Sequence, residues 1–278
     1  LGKRGDEQRE SNMGRETHLI PISWEKATVR WQQVSDNEWA PVTYDFPVGA
    51  PETGKVERIN PMPFMQTRQY QKDAFNDNFD ESKLNLEWNF RRVPQANTFS
   101  LAARSGHLRL YAKPEVIENR VQASLMGFRQ RESDFEYTAS IYYQPKKEGE
   151  EAGMSLFQKD NNYINFTLTK EQGLMVLKVI LKDPKEDSRI LKQEILSNYE
   201  GEIMLRVISK DHQYQYQYSL DQGREYITFM SSKGDLILSH RTGSYTGAYL
   251  GLYATGNGKS TKAFMDVDWV FYQGYPRS

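Results

Sequence analysis

The chain of 278 residues contains no cysteine, which removes disulfides, thiolate nucleophiles and zinc–thiolate centres together. An excess of positive charge is also missing, with 36 Lys and Arg against 37 Asp and Glu for a net charge of −1. A nucleic-acid binder needs such an excess to neutralise phosphates, so that class of partner is not expected. No apolar run reaches the length of a bilayer span, and no leader-like segment stands at the start, so no membrane partner is expected either. The first residues are Leu1 and Gly2 rather than Met, which reads as a piece of something longer. Where the protein works is left open, with a lean toward the periplasm or outside the cell.

What is abundant is aromatic. The 17 tyrosines and 13 phenylalanines suit strands, and tyrosine also stacks on sugars. From about residue 75 onward the apolar residues recur at every second position. Leu84, Leu86, Trp88 and Phe90 form one such run, and Phe135, Tyr137, Ala139, Ile141 and Tyr143 another. Ile164, Phe166 and Leu168 repeat the pattern, as do Tyr214, Tyr216 and Tyr218 between glutamines. Met265, Val267, Trp269 and Phe271 are expected on one face of a last strand, with Asp266 and Asp268 on the other. Alternation of this kind marks half-buried strands.

Turn residues at Ser105-Gly106, Glu171-Gln172-Gly173, Asp221-Gln222-Gly223 and Gly256-Asn257-Gly258 punctuate the runs, the last read as a hairpin turn. For Asp183 to Asn198 a helical turn and a hairpin connection fit equally well. Many short strands without long helical periods predict an all-β, two-sheet antiparallel sandwich of jelly-roll type over 71–278.

The first part differs. Residues 1–12 are polar, and His18 to Trp24 and Thr28 to Val34 read as two strands. Pro41, Pro47, Gly49, Pro51, Gly54, Pro61 and Pro63 then predict a linker over 41–70 without regular structure. Two strands in 1–40 have too few partners for a core, so they are expected to be the last piece of another domain.

Two segments resemble the family 43 glycoside hydrolases, the β-xylosidases and α-L-arabinofuranosidases. Asn12-Met13-Gly14-Arg15-Glu16-Thr17, running on to Trp24, is similar to the stretch that closes that family's five-bladed propeller. The set Phe75-Asn76-Asp77-Asn78-Phe79-Asp80, Leu86 to Arg91, Gly106 to Leu110, Tyr245 to Tyr253 and Ala263 to Tyr272 resembles, in order, the concanavalin A-like sandwich that follows the propeller.

The resemblance implies exo-hydrolysis of xylosides or arabinofuranosides with inversion, by a carboxylic acid and a carboxylate base in propeller blades before Leu1. It therefore implies no catalytic residue in this chain. The partners it implies are a xylo- or arabino-oligosaccharide and the N-terminal propeller of the same protein. It implies that Arg15 hydrogen-bonds the non-reducing sugar, the alternative being a salt bridge to Glu16 or another blade. It implies that Tyr245, where relatives carry Phe, borders the leaving-group sugar, the alternative being an ordinary turn aromatic.

Three further readings come from the residues. If the first and last strands of the sandwich pair, Asp77, Asp266 and Asp268 gather at one edge and suit a structural Ca²⁺; the alternative is a solvated strand face, and no cofactor is otherwise required. The Tyr214, Tyr216, Tyr218 row reads either as a cross-strand ladder or as the platform of a stand-alone, lectin-like binding module. His18, His107, His212 and His240 lack metal-ligand spacing, and Gly256 to Ser260 lacks the spacing of a phosphate loop.

Overall fold

The computed structural model describes residues 2–3, 15–16, 18–57, 60–61, 63, 74–211 and 213–275. Residues 12–14 and 17 of the propeller-like stretch, His212 and most of 58–70 lie outside the described residues. The described residues fall into two compact units, one within 16–70 and one within 71–278.

The first unit is dominated by a hairpin. After the short pair β1 (Gly2–Lys3) and β2 (Arg15–Glu16) come β3 (Ile22–Ser35) and β4 (Glu38–Gly49), antiparallel over their whole length. Pro41 and Pro47 therefore stand inside a strand, opposite Trp31 and Trp24, which corrects the expectation of irregular chain from residue 41. A two-stranded sheet consists of edges only, and an edge strand tolerates a residue that cannot donate to a ladder on its open side.

The second unit is the two-sheet antiparallel sandwich, with no α-helix among the described residues. Its strands are β5 (Ala74–Asp77), β6 (Asn89–Phe90), β7 (Phe99–Ser100), β8 (Leu108–Tyr111), β9 (Ser124–Arg129), β10 (Asp134–Tyr143), β11 (Glu151–Lys159) and β12 (Asn162–Glu171). They continue as β13 (Leu174–Lys182), β14 (Arg189–Ile195), β15 (Glu202–Lys210), β16 (Gln213–Ser219), β17 (Ile227–Lys233), β18 (Tyr249–Thr255) and β19 (Phe264–Tyr275). One sheet runs β17-β16-β15-β10-β19-β8-β7, with β5 sharing the free edge of β19 beside β8. The other runs β14-β13-β12-β11-β18-β9-β6.

The alternating residues meet between the sheets as predicted. Phe135, Tyr137, Ala139, Ile141 and Tyr143 from one sheet and Ile164, Phe166 and Leu168 from the other are all essentially inaccessible. Phe128 is the aromatic hub, with ring centroids 4.8 Å from Phe75, 5.7 Å from Trp88, 5.4 Å from Tyr137 and 5.3 Å from Tyr272. The Glu171–Gly173 turn joins β12 to β13 with Gln172 and Gly173 both at positive φ, the geometry a two-residue hairpin needs.

Three local expectations are corrected and one open choice is decided. Leu84 to Trp88 is not a strand: the Asn85 side chain accepts from the Glu87 amide at 3.0 Å and turns the chain, leaving Leu86 98% exposed while Trp88 is buried. Of the two readings for Asp183 to Asn198 the hairpin holds: the chain turns after β13 and returns as the antiparallel edge strand β14. The Gly256–Gly258 turn joins strands of different sheets, so it crosses the sandwich instead of closing a hairpin.

In β19, Ser140 of β10 pairs with Trp269 and Ile141 with Val267, so Asp268 is an extra residue in a bulge. Past a bulge the faces exchange. The core takes Met265, Val267, Val270 and Tyr272, not Trp269 and Phe271.

Candidate functional site

The Tyr245 loop enters the structure through two 3-10 turns, Gly234–Ile237 and Ser239–Thr242, and leaves it into β18. Its backbone is tied down by the neighbouring sheet. The Gln158 amide, at the end of β11, donates to the Thr246 carbonyl at 2.8 Å, and Lys159 Nζ donates to the Thr242 carbonyl at 3.3 Å. Asp183, after β13, accepts from the Arg241 guanidinium. Ser244 and Thr246 bond each other across the residue between them at 2.9 Å. Tyr245 is thus carried on a braced loop with 60% of its surface exposed. Arg15, the other sugar-binding candidate, lies in β2; its side chain is outside the described residues.

Beside the loop, on the outer face of the seven-stranded sheet, is a cleft of about 440 Å³. Ser244 and Thr246 line it on one side and Arg91 and Arg92 on another, with Phe157 and Tyr249 in its wall. Arg91 is nearly buried; it donates to the Ile117 carbonyl and to Asp160, and its guanidinium lies 5.9 Å from the Phe157 ring centre. Burial pulls the Arg91 pKa below the usual arginine value, against the opposing charge of Asp160. Arg120 takes the other oxygen of Asp160 at 3.2 Å.

The carboxylates proposed for a metal are not assembled into a site. β5 and β19 do pair, but Asp77 stands opposite Val270, and its oxygens accept from Phe79 N at 3.0 Å and Trp88 Nε1 at 2.7 Å. Asp266 is 2% exposed and held by two bonds from Arg109, at 2.7 and 2.8 Å. Asp268, in the bulge, is half exposed, with His107 Nε2 3.9 Å away. Among the described residues no group of three or more His, Asp or Glu is placed to hold a metal ion.

The tyrosine row offers no sugar platform. Tyr214, Tyr216 and Tyr218 point into the core, the Tyr216 ring 5.5 Å from Phe166 and the Tyr218 hydroxyl donating to Glu194 at 3.4 Å. Burial raises the Tyr216 and Tyr218 pKa values, as expected for enclosed phenols.

A second cleft, about 500 Å³, lies on the outer face of the eight-stranded sheet among Arg104, His107, Tyr142, Glu202, Asp268 and Trp269. The adjacent acids Glu150 and Glu151 line neither cleft. Glu151 is buried, which raises its pKa, and accepts from Asn257 and Thr167. For Glu150 burial works upward, but the Thr261 hydroxyl and the Lys147 and Lys146 amides outweigh it and hold the pKa below the ordinary range.

The model of the β-xylosidase C-terminal concanavalin A-like domain matches residues 76–273, the sandwich just described. The chain belongs to that family. Among curated proteins, the non-reducing end alpha-L-arabinofuranosidase BoGH43B of Bacteroides ovatus is 26% identical over 275 residues, taking in 98% of this chain and 47% of that protein. A xylosidase/arabinosidase of Butyrivibrio fibrisolvens is 24% identical over 262 residues, 93% of this chain and 46% of that protein.

The chain thus spans about half the length of these curated relatives. Two solved structures share the fold. The GH43 BlXynB protein of Bacillus licheniformis superposes with a TM-score of 0.75 at 23% identity, over 96% of this chain and 48% of that one. The Bacteroides ovatus xyloglucan GH43B protein does so with a TM-score of 0.74 at 24% identity, over 85% and 47%.

Sequence reasoning missed the Arg91–Asp160–Arg120 cluster, because its members are as much as 69 positions apart. One signal was legible. Gly251 interrupts the apolar run Tyr249 to Tyr253, and a glycine inside a strand marks a close backbone approach or a bare surface.

Proposed function

We propose that this chain is the accessory end of a family 43 glycoside hydrolase, and that its sandwich supplies one wall of the pocket in which a xyloside or arabinofuranoside is cleaved from the non-reducing end. The observation that carries the reading is Tyr245, a large aromatic held 60% exposed on a loop fastened at Thr242 and Thr246 by side chains of β11. A loop already held in one conformation presents the ring to a ligand with little further loss of conformational entropy. A ring so placed can cover the CH face of a sugar while its hydroxyl bonds a sugar hydroxyl. On this reading the general acid and base reside in the half of the protein that this chain does not span, and the reaction is an inverting hydrolysis.

The hairpin β3–β4 belongs to the same reading. It exposes Trp24 (70%), Trp39 (57%) and Ile22 (56%), a surface suited to burial against further strands, as in the closing blade of a propeller.

The test is kinetic and uses the intact enzyme. Tyr245→Ala lowers kcat/KM on a disaccharide about tenfold, the size of one lost aromatic contact, while Tyr245→Phe retains most of it. Unchanged kinetics for Tyr245→Ala would reduce the sandwich to a structural spacer.

A further inference from the structure

The outer face of the seven-stranded sheet is covered over one half and open over the other. The segment between β8 and β9 crosses the covered half, and Ile117 is fully buried there with Ala123, Leu125, Tyr163 and Tyr253. In the open half the floor has no side chains at two adjoining positions. Gly127 of β9 and Gly251 of β18 are directly opposite. A Cβ added to Gly127 would lie 2.7 Å from the Leu250 carbonyl oxygen, and one added to Gly251 would lie 2.4 Å from that of Met126. Only glycine fits at either position, so the floor is bare backbone, bordered at one end by the paired residues Phe157 and Tyr249.

The charge around this floor is lopsided. Arg91, Arg92 and Lys159 line the cleft against the single carboxylate of Asp160. Asp160 is already answered twice, by Arg91 and Arg120. The bonds that Arg92 and Lys159 make go to backbone carbonyls, of Arg120 at 3.2 Å and Thr242 at 3.3 Å. Their charges are therefore not cancelled by a carboxylate among the described residues. Positive side chains around a partly enclosed surface concentrate anions there. The volume of about 440 Å³ suits a small ligand.

We propose that this cleft is a binding site for a sugar ring that bears a carboxylate, a uronate. The ring lies over the glycine floor beside Phe157 and Tyr249, which face each other across β11 and β18 at one end of it, and the carboxylate is met by Arg92 and Lys159. A flat, side-chain-free floor with an aromatic border accounts for the ring, and the surplus cations account for the acid. The proposal concerns the 278-residue chain itself and does not rest on the role given to Tyr245.

The test is titration of the ¹⁵N-labelled chain with methyl β-D-glucuronide, methyl β-D-glucoside and sodium sulfate, followed at the amides of Gly127 and Gly251. The glucuronide should shift both amides saturably, with the glucoside at least about tenfold weaker and sulfate unable to displace the glucuronide. Arg92→Gln, at an exposed position that does not endanger the fold, should bring the glucuronide close to the glucoside. Tyr249→Ala should weaken both sugars.

Equal affinity for the two sugars would overturn the assignment of charge, as would a preference that survives Arg92→Gln. Displacement by sulfate would mean a bare anion site. Absence of shifts at Gly127 and Gly251 would remove the site altogether.

Discussion

The β3–β4 hairpin and the sandwich are written in the same alternating pattern but bury very different amounts of it. In the hairpin Trp24, Trp39 and Tyr44 lie open, whereas in the sandwich the rings of Phe128, Phe135, Tyr137 and Tyr216 are sealed between two sheets. Alternation fixes which residues share a face; only a second layer turns that face into a core. A lone pair of strands is marginal in water, so the hairpin draws little stability from its own two strands.

This contrast can be sharpened by substitution, read by chemical denaturation of the chain. Phe128→Ala removes the ring that touches four other aromatics and should cost about 3–5 kcal/mol. Asp266→Ala should cost nearly as much, about 3 kcal/mol, because it strands the partly buried Arg109 beside an empty site, whereas its neighbour Asp268→Ala should stay within about 0.5 kcal/mol. The two aspartates are two positions apart, and the bulge that takes up Asp268 decides which one matters.

Glu150→Gln should fall between these, at about 1–2 kcal/mol near neutral pH, since the carboxylate accepts three hydrogen bonds. Its pKa is depressed in the folded state, so its contribution is present above the unfolded range near ~4.3 and is lost as pH falls through the lower folded value. The gap between wild type and Glu150→Gln should accordingly close in acid. At the small end, Trp39→Ala in the hairpin should change stability by less than about 0.5 kcal/mol; a loss like that of Phe128→Ala would erase the contrast.

The sandwich was legible because its inward residues repeat every second position over strands of seven to ten residues, as in Phe135 to Tyr143 and Ile164 to Leu168. The pattern failed where one residue interrupts it. Asp268 bulges and exchanges the faces of Trp269 and Val270, and Asn85 folds an apparently alternating run into a turn. Neither side-chain bond nor inserted residue has a periodic signature. Pro41 and Pro47 misled for a different reason: proline forbids one ladder bond, not a strand with an open edge.

The site was only partly readable. Tyr245 was singled out from its motif, and the structure places it on an exposed loop. The braces Gln158, Lys159 and Arg241 reach it from far along the chain and carry no local pattern. β5 and β19 pair, the condition on which the calcium reading rested, but spacing in sequence does not reveal that Arg109 and Trp88 already occupy Asp266 and Asp77.

If this chain shapes and holds substrate while the bond-breaking acids lie elsewhere in the protein, it has no turnover of its own. The direct measurement is release of nitrophenol from 4-nitrophenyl β-xyloside and α-L-arabinofuranoside by the 278-residue chain, purified free of host glycosidase. No release above the buffer rate is predicted. Turnover that persists through purification, and is lost when a carboxylate of this chain is replaced, would contradict it.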